Sequence, residues 1–292
     1  MREIIIQKND CNQRLDKFLT KLMPSMPKSM LYKSLRKNCV RVNGKHIKDG
    51  NYVLKEGEEL SLYFKDEFFE KPKHKISDND NISVVYEDGD ILIVDKPAGL
   101  VVHSDDKGSE DTLIDRVHSY LYKRGEYDPD TEQSFVPALC NRLDQNTSGL
   151  VIAAKNAEAL RFINQKIKNR EIKKLYTCIT EGVPSPKSAT LTGYLTRGDK
   201  KVTVSEKSGD KEICTRYRVI SEQGNEAVVE VELLTGRTHQ IRAQMASIGC
   251  PLAGDVKYGG SRRKGGYCLR CYRLVFEYAD GICSGIDIEK KR

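Results

Sequence analysis

Between Leu139 and Thr180 the chain passes from a charged loop into an apolar run, then a helical pattern, then a second strand-like run, and few folds accommodate that order. The opening LCNRLDQNTSG is polar and rich in turn formers, whereas LVIAA directly after it consists of small and branched apolar residues. A short apolar run bounded by turn residues reads as a buried strand. Asn156 offers an N-cap to a helix on which Ala157, Leu160, Ile163 and Ile167 keep helical spacing, and KKLYTCIT reads as the next strand. A sheet with a helix packed on it is therefore required, and it holds a charged loop against a buried strand.

The surrounding sequence extends that sheet. Ile82 to Tyr86, the turn Glu87-Asp88-Gly89-Asp90 and the run ILIV predict a hairpin leading into the tight loop Asp95-Lys96-Pro97-Ala98-Gly99. Val229, Val231 and Leu233 alternate with Glu230 and Glu232 up to a Thr235-Gly236 turn. Thr238 is then expected to cap a helix that carries His239 and Arg242 three apart on one face, with Ile241, Met245 and Ile248 on its buried side and Gly249 as its stop. Arg197 to Lys211 reads as an exposed basic hairpin and Ser261 to Gly266 as a mobile basic loop, each suited either to gripping a substrate or to plain solvation.

A chain of 292 residues accommodates two domains, and the charge distribution separates them. Residues 1–64 hold 13 Lys plus Arg against 7 Asp plus Glu, so nearly all of the net +7 lies there. Leu15, Phe18, Leu19 and Leu22 form one apolar stripe on a helix that Pro24 ends. A second helix follows Pro27, with Leu31 and Leu35 four apart and Lys28, Lys33, Arg36 and Lys37 over the rest of its surface. Val40 and Val42 flank Arg41 before Asn43-Gly44, a hairpin-turn dipeptide, and Leu60, Leu62 and Phe64 alternate on a closing strand. Such a localised positive surface attracts phosphate backbones. The polar stretch 65–81, with Pro72 and no periodicity, is the expected linker, and 82–292 the second domain.

Nine scattered cysteines suit a reducing compartment. Cys268-x-x-Cys271 has no second pair or spaced His and lies in a strand-like run, so no metal site is expected. MREIIIQKND is too short an apolar stretch for a signal sequence and no later run approaches a membrane span, so a soluble, cytoplasmic protein without a membrane partner is expected.

Two families share these patterns. Residues from about Arg14 to Phe64 resemble the alpha-L RNA-binding module, whose basic helix follows an RNA backbone without reading bases; Lys28, Lys33, Arg36, Lys37 and Arg41 are the implied contacts. RLDQNTSGLVIAAK, KKLYTCI and LLTGRTHQIRAQM, in that order, closely resemble the RluA/RluD-type pseudouridine synthases over roughly Ile82 to Tyr278. That resemblance implies an α+β protein: a small α/β RNA-binding domain plus a large, mainly antiparallel sheet flanked by helices. It implies Asp144 as the catalytic carboxylate, with Arg242 as its cation, Arg142 filling the place of an extruded base and Tyr176 packing on that base. His239, Lys96, Thr147 and Lys155 are equally suited to RNA contact and to structural support. Members usually carry His where this chain has Asn141, which bears on target preference more than on reaction class.

The implied reaction breaks the N1–C1′ bond of uridine and joins C5 to the same sugar carbon, so it needs neither cofactor nor metal. A carboxylate answers the positive charge that develops at the sugar carbon, either by covalent attack or by taking a sugar proton to give a glycal. Large-subunit ribosomal RNA is the expected substrate of a monomeric enzyme. The alternatives are a non-catalytic RNA-binding ribosome-assembly factor and an N-glycosidic hydrolase that releases free base.

Overall fold

The computed structural model describes residues 1–70, 76–104, 111–198 and 201–290. Two sheets carry the architecture, and the smaller one begins the chain. Strand β1 (Arg2–Ile5), helices α1 (Leu15–Leu22) and α2 (Lys28–Arg36), and strands β2 (Val40–Val42), β3 (Lys45–His46) and β4 (Glu59–Leu62) form it, in strand order β1-β4-β2-β3. The α1 stripe is buried together with Leu31 and Leu35 of α2, so both helices cover one face of the sheet. Asn43 and Gly44 adopt φ of 49° and 76°, as the two-residue turn between β2 and β3 demands. β1 has no counterpart in the sequence reading, because REII buries only Ile4 and is too short to show a period. β4 stops at Leu62, and Phe64 lies beyond it, half-buried on the same core.

The expected linker opens with a 3₁₀ turn, Asp66–Phe69, that folds back onto this first core. Phe69 is buried, and the Arg2 guanidinium lies 4.8 Å from its ring centroid. Residues 71–75 of that segment lie outside the described residues, and Ile76 and Ile82 already pack on the second core.

The large sheet has eleven strands. They are β5 (Ser83–Glu87), β6 (Ile91–Lys96), β7 (Ala138–Leu139), β8 (Ser148–Ala154), β9 (Ile172–Glu181), β10 (Ser188–Arg197), β11 (Val202–Ser205), β12 (Lys211–Gln223), β13 (Glu226–Leu233), β14 (Leu269–Phe276) and β15 (Asp287–Glu289). The main order is β11-β10-β12-β13-β9-β14-β8-β6-β5, with β15 on β14 and β7 on β8. Every pairing is antiparallel except β14 with β8. Helices α3 (Leu113–Lys123), α4 (Ala157–Lys168) and α5 (Gln240–Ser247) accompany the sheet. The class is thus α+β, with a large, mainly antiparallel sheet. Leu150 to Ala154 of β8 are fully buried, as the unbroken apolar run requires.

Asn156 caps α4 by accepting from the Ala159 N–H at 2.8 Å. α3 is absent from the sequence reading although its start carries a capping box, Thr112 with Asp115. α5 differs from expectation: it begins at Gln240, and His239 precedes it in the left-handed region at φ 56° with no Thr238 cap. Its buried residues run from Gln240 to Met245 on all sides, while Ile248 is only half-buried beyond its end. β10 and β11 form the expected hairpin, whose Asp199 and Lys200 lie outside the described residues. The 261–266 loop is tied down by Ser261 to Glu181 and by Arg263 to Glu226. All nine cysteines are free, and Cys271 lies in β14 as read.

A polar seam joins the two cores. Ser134 donates to Asp10 at 2.6 Å, Gln13 donates to Ser134, Asn9 bridges Glu132 and the Ala157 N–H, and Arg161 reaches the Cys11 carbonyl. Among the described residues, no helix is long and apolar enough to cross a membrane and no acidic, His or Cys cluster is arranged to hold a metal.

Candidate active site

The loop between β7 and β8, the end of β13, the start of β9 and α5 enclose a cleft of about 870 Å³. Asp144 faces it with 26% of its side chain exposed, reachable yet partly shielded. Its Oδ2 lies 3.3 Å from Arg242 Nη1 and 3.6 Å from His239 Nε2. Two residues expected on one helical face thus both reach the carboxylate, but from different geometry, His239 by its left-handed turn and Arg242 from the first turn of α5.

What fixes Arg242 lies later in the chain. Asp255, almost fully buried, accepts two bonds from it, from Nε at 2.6 Å and Nη2 at 2.8 Å, leaving Nη1 for Asp144. The guanidinium also stacks on Tyr267 and Tyr258, 4.3 and 5.0 Å from their ring centroids. Burial opposes its charge, but the Asp255 bonds and the neighbouring groups outweigh it and hold Arg242 above its ordinary value. A cation beside Asp144 is therefore permanent.

His239 is neutral near pH 7, because burial pushes it below its usual value against the pull of Asp144. Its Nδ1 lies 2.9 Å from the Tyr258 hydroxyl, which also accepts from the Val202 N–H at 3.3 Å. The tautomer in which that hydroxyl donates to Nδ1 puts the ring proton on Nε2, the nitrogen that faces Asp144. The β10–β11 hairpin, read as a loop that either grips or solvates, thus buttresses this histidine through Val202.

The loop bearing Asp144 is anchored at both ends. Lys96 is fully buried and donates to the carbonyls of Pro97, Leu100 and Gln145 at 3.0, 2.7 and 2.9 Å. Gly99 N–H also donates to the Gln145 carbonyl, and Thr147 N–H to that of Asp144. On the other side the Asn141 amide bonds to the backbone of β8. Lys96 and Thr147, both buried, are therefore supports. Lys155 is one as well, since its ammonium pairs with Glu87 and Glu126 and donates to the Asp88 carbonyl.

Tyr176 lines the cleft from β9 and is nearly all buried, which raises its phenol well above the ordinary value and keeps it protonated. Arg142 is exposed at the lip, and among the described residues no carboxylate pairs with it. Lys168, Arg170, Lys173, Lys174 and Arg237 line the same cleft, against two carboxylates among the described residues, Asp144 and Glu232; Glu232 is paired with Arg216. The cleft is a positive groove around one acid. Lys28, Lys33 and Arg36 on α2 and Lys37 just past its end are exposed, while Arg41 is half-buried against the Tyr63 ring at 5.6 Å.

Residues 90–247 match the RNA pseudouridylate synthase family, and residues 13–60 match the S4 domain. An uncharacterized RNA pseudouridine synthase of Mycoplasma capricolum is 33% identical over 90% of this chain and 86% of its own length. The chain belongs to the RNA pseudouridylate synthase family. Another relative of this synthase, ribosomal large subunit pseudouridine synthase D of Buchnera aphidicola, is 34% identical over 85% of this chain and 76% of that protein. The fold agrees with human RNA pseudouridylate synthase domain containing 4, at a TM-score of 0.59 and 20% identity over 72% of this chain and 88% of that one.

The sequence reading of the synthase missed Asp255, Tyr258 and Tyr267. Their one signal is the glycine density of LAGDVKYGG. A Cβ on Gly254 would meet the Gly266 carbonyl oxygen at 2.4 Å, and one on Gly260 would meet that of Leu252 at 2.3 Å. Two such close backbone approaches mark a loop folded tightly around something, here the Arg242 guanidinium.

Proposed function

We propose that this cleft converts specific uridines to pseudouridine in large-subunit ribosomal RNA, with Asp144 as the catalytic carboxylate of a monomeric, cytoplasmic enzyme. The observation that carries the reading is the chain Asp255–Arg242–Asp144, which keeps a partly shielded acid beside a fixed cation at the bottom of a basic groove. An ionised carboxylate answers the positive charge that develops at the sugar carbon as N1–C1′ breaks. The uracil then turns, C5 bonds to C1′, C5 loses its proton and N1 gains one, so the atoms balance without any co-reactant.

Arg142, exposed at the lip, is suited to fill the space an extruded base leaves, and the Tyr176 ring to pack on that base. The protonated phenol fits a packing and hydrogen-bonding role better than that of a base for the C5 proton. Ribosomal RNA as substrate is supported by the Buchnera relative and by the basic α2, which suits phosphate-backbone binding. A non-catalytic assembly factor would have no need of a carboxylate held in this way.

Carbodiimide mapping of pseudouridine in cellular RNA tests the proposal, comparing wild type, a deletion strain, and that strain complemented with wild-type protein or Asp144→Ala. Particular modified uridines should vanish from large-subunit RNA on deletion and return only with the wild-type protein. An unchanged map would overturn the target assignment, and restoration by Asp144→Ala would overturn the role of the acid. Release of free uracil from RNA would point instead to a hydrolase.

A further inference from the structure

The backbone of β8 is served along one edge by three different partners. At one end Ala153 and Ala154 pair with β7, and at the other Ser148 and Gly149 pair with β14. The interval between them, Leu150 to Ile152, faces the point where β7 ends and the chain turns away into the cleft. There the Cys140 N–H donates to the Ile152 carbonyl at 2.7 Å, the last main-chain bond of that ladder. The Asn141 side chain takes over from it: Oδ1 accepts from the Ile152 N–H at 2.8 Å, and Nδ2 donates to the Leu150 carbonyl at 3.3 Å.

We infer that the Asn141 carboxamide acts as a substitute peptide group, letting the chain leave β8 at this residue and thereby setting the position of Asp144 three residues on. Asn141 is a positioning residue in this account, which rests on Asp144 being the catalytic acid.

The chemistry favours this residue type. A primary carboxamide presents one donor and one acceptor side by side, as a peptide group does, and the β8 edge offers one acceptor and one donor at matching places. Asp at this position would keep the acceptor and turn a second one toward the Leu150 carbonyl. Ala would leave a buried N–H and C=O without partners, and Gln would overshoot by a methylene. His offers a ring nitrogen at similar reach but replaces only one of the two bonds.

The rest of the loop shows why this anchor matters. Its far end is held by Lys96 and Gly99 on the Gln145 carbonyl, and by the Gln145 side chain on the Gly99 carbonyl. Arg142, exposed to solvent, supplies no anchor on the near side, so the Asn141 bonds to β8, together with the Leu143 side chain buried in the core, fix that end. The distance from Asp144 to Arg242 then depends on both anchors. Misplacement of a reacting group by about 1 Å is enough to lose on the order of a hundredfold in rate.

The test joins hydrogen exchange to kinetics on the full-length protein. In Asn141→Ala the Ile152 amide should exchange faster than in wild type, and single-turnover isomerisation of a bound RNA stem-loop should fall roughly ten- to a hundredfold while RNA affinity stays within about twofold. Asn141→His, which preserves one bond and guards against loss of fold in the alanine variant, should lie between the two in both measurements. Unchanged exchange at Ile152 would overturn the brace itself. Faster exchange with an undiminished rate would overturn its positioning role. A loss confined to RNA affinity would make Asn141 an RNA contact instead. If Asp144→Asn retains its rate while Asn141→Ala loses it, the assignment of Asp144 fails and the brace survives.

Discussion

The N-terminal module and the cleft are both basic, yet the cation beside Asp144 is held in the opposite way from the cations of the module. Along α2 and at its C-terminal end, Lys28, Lys33, Arg36 and Lys37 are exposed and, among the described residues, in no ion pair. In the cleft, Arg242 is buried, doubly bonded to Asp255 and stacked on two tyrosines, with its Nη1 left to donate to Asp144. Exposed cations attract phosphate from a distance and are screened by salt within about 10 Å at 0.1 M. A buried, pre-oriented cation is little affected by salt and acts on one neighbour. One region should therefore govern affinity and its salt dependence, the other the rate.

The largest effect should come from breaking the buried side of this contrast. Asp255→Ala leaves the Arg242 guanidinium buried without its partner, and loss of one member of such a pair destabilises by roughly 3–5 kcal/mol. Thermal melting should show that loss. The milder Asp255→Asn should remain folded, yet its single-turnover rate should fall by at least an order of magnitude. A rate like that of wild type would show that Arg242 needs no such anchor.

Removing the exposed charges should do the reverse. Lys28, Lys33, Arg36 and Lys37 all changed to Ala should weaken RNA binding about tenfold or more and flatten its salt dependence, by roughly 0.7 in log–log slope for each phosphate no longer neutralised. Turnover at saturating RNA should persist. This variant is preferable to deletion of 1–64, which would also uncover the seam at Ser134. An unaltered salt slope would break the comparison from its other side.

Lys96 offers a smaller, pH-dependent effect. Burial pushes its ammonium down from 10.5 to about 8, against the pull of Asp144. The folded protein therefore gives up this proton before the unfolded chain does, so the contribution of Lys96 to stability rises between about pH 8 and 10.5. The neutral amine has one donor fewer for its three carbonyls, so turnover should fall several-fold over the same rise. Melting and single-turnover measurements from pH 7 to 9.5 check this, and Lys96→Met should lose both trends.

Asp10 is the smallest case and the one that departs from the pattern, a buried acid with no cation bonded to it among the described residues. The Ser134 hydroxyl serves Oδ1 and the backbone N–H groups of Gln7 and Ser134 also face the carboxylate, while among the described residues Oδ2 has no hydrogen-bond partner. Burial raises its value above the ordinary 3.8, so the charge weakens the fold at neutral pH and that penalty fades as acid protonates it. Asp10→Asn should stabilise the protein by about 1 kcal/mol at pH 7, with the gain shrinking on acidification. Destabilisation would mean the charge serves the seam.

Much of this contrast is legible in the sequence because its signals are local. Strand β8, capped helix α4, the Asn43-Gly44 turn and the α1 stripe each declare themselves through spacing or a cap. Asp144, Tyr176 and Arg242 fall in contiguous motifs, and it is the family resemblance of those motifs, not spacing, that singles them out. The misses are partnerships distant in the chain. Asp255 and Tyr267 reach Arg242 only after the glycine-rich loop folds back, and Lys96 finds Gln145 only once β6 lies beside β8. The left-handed turn at His239 carries no propensity signal, since Thr238 offers a more ordinary cap.

The most direct test is single-turnover isomerisation by Asp144→Asn on a short RNA that it binds. The amide preserves shape and size but removes the negative charge beside Arg242. RNA affinity should stay close to wild type while the rate falls by at least about a thousandfold. Pseudouridine formed at the wild-type rate would contradict the account.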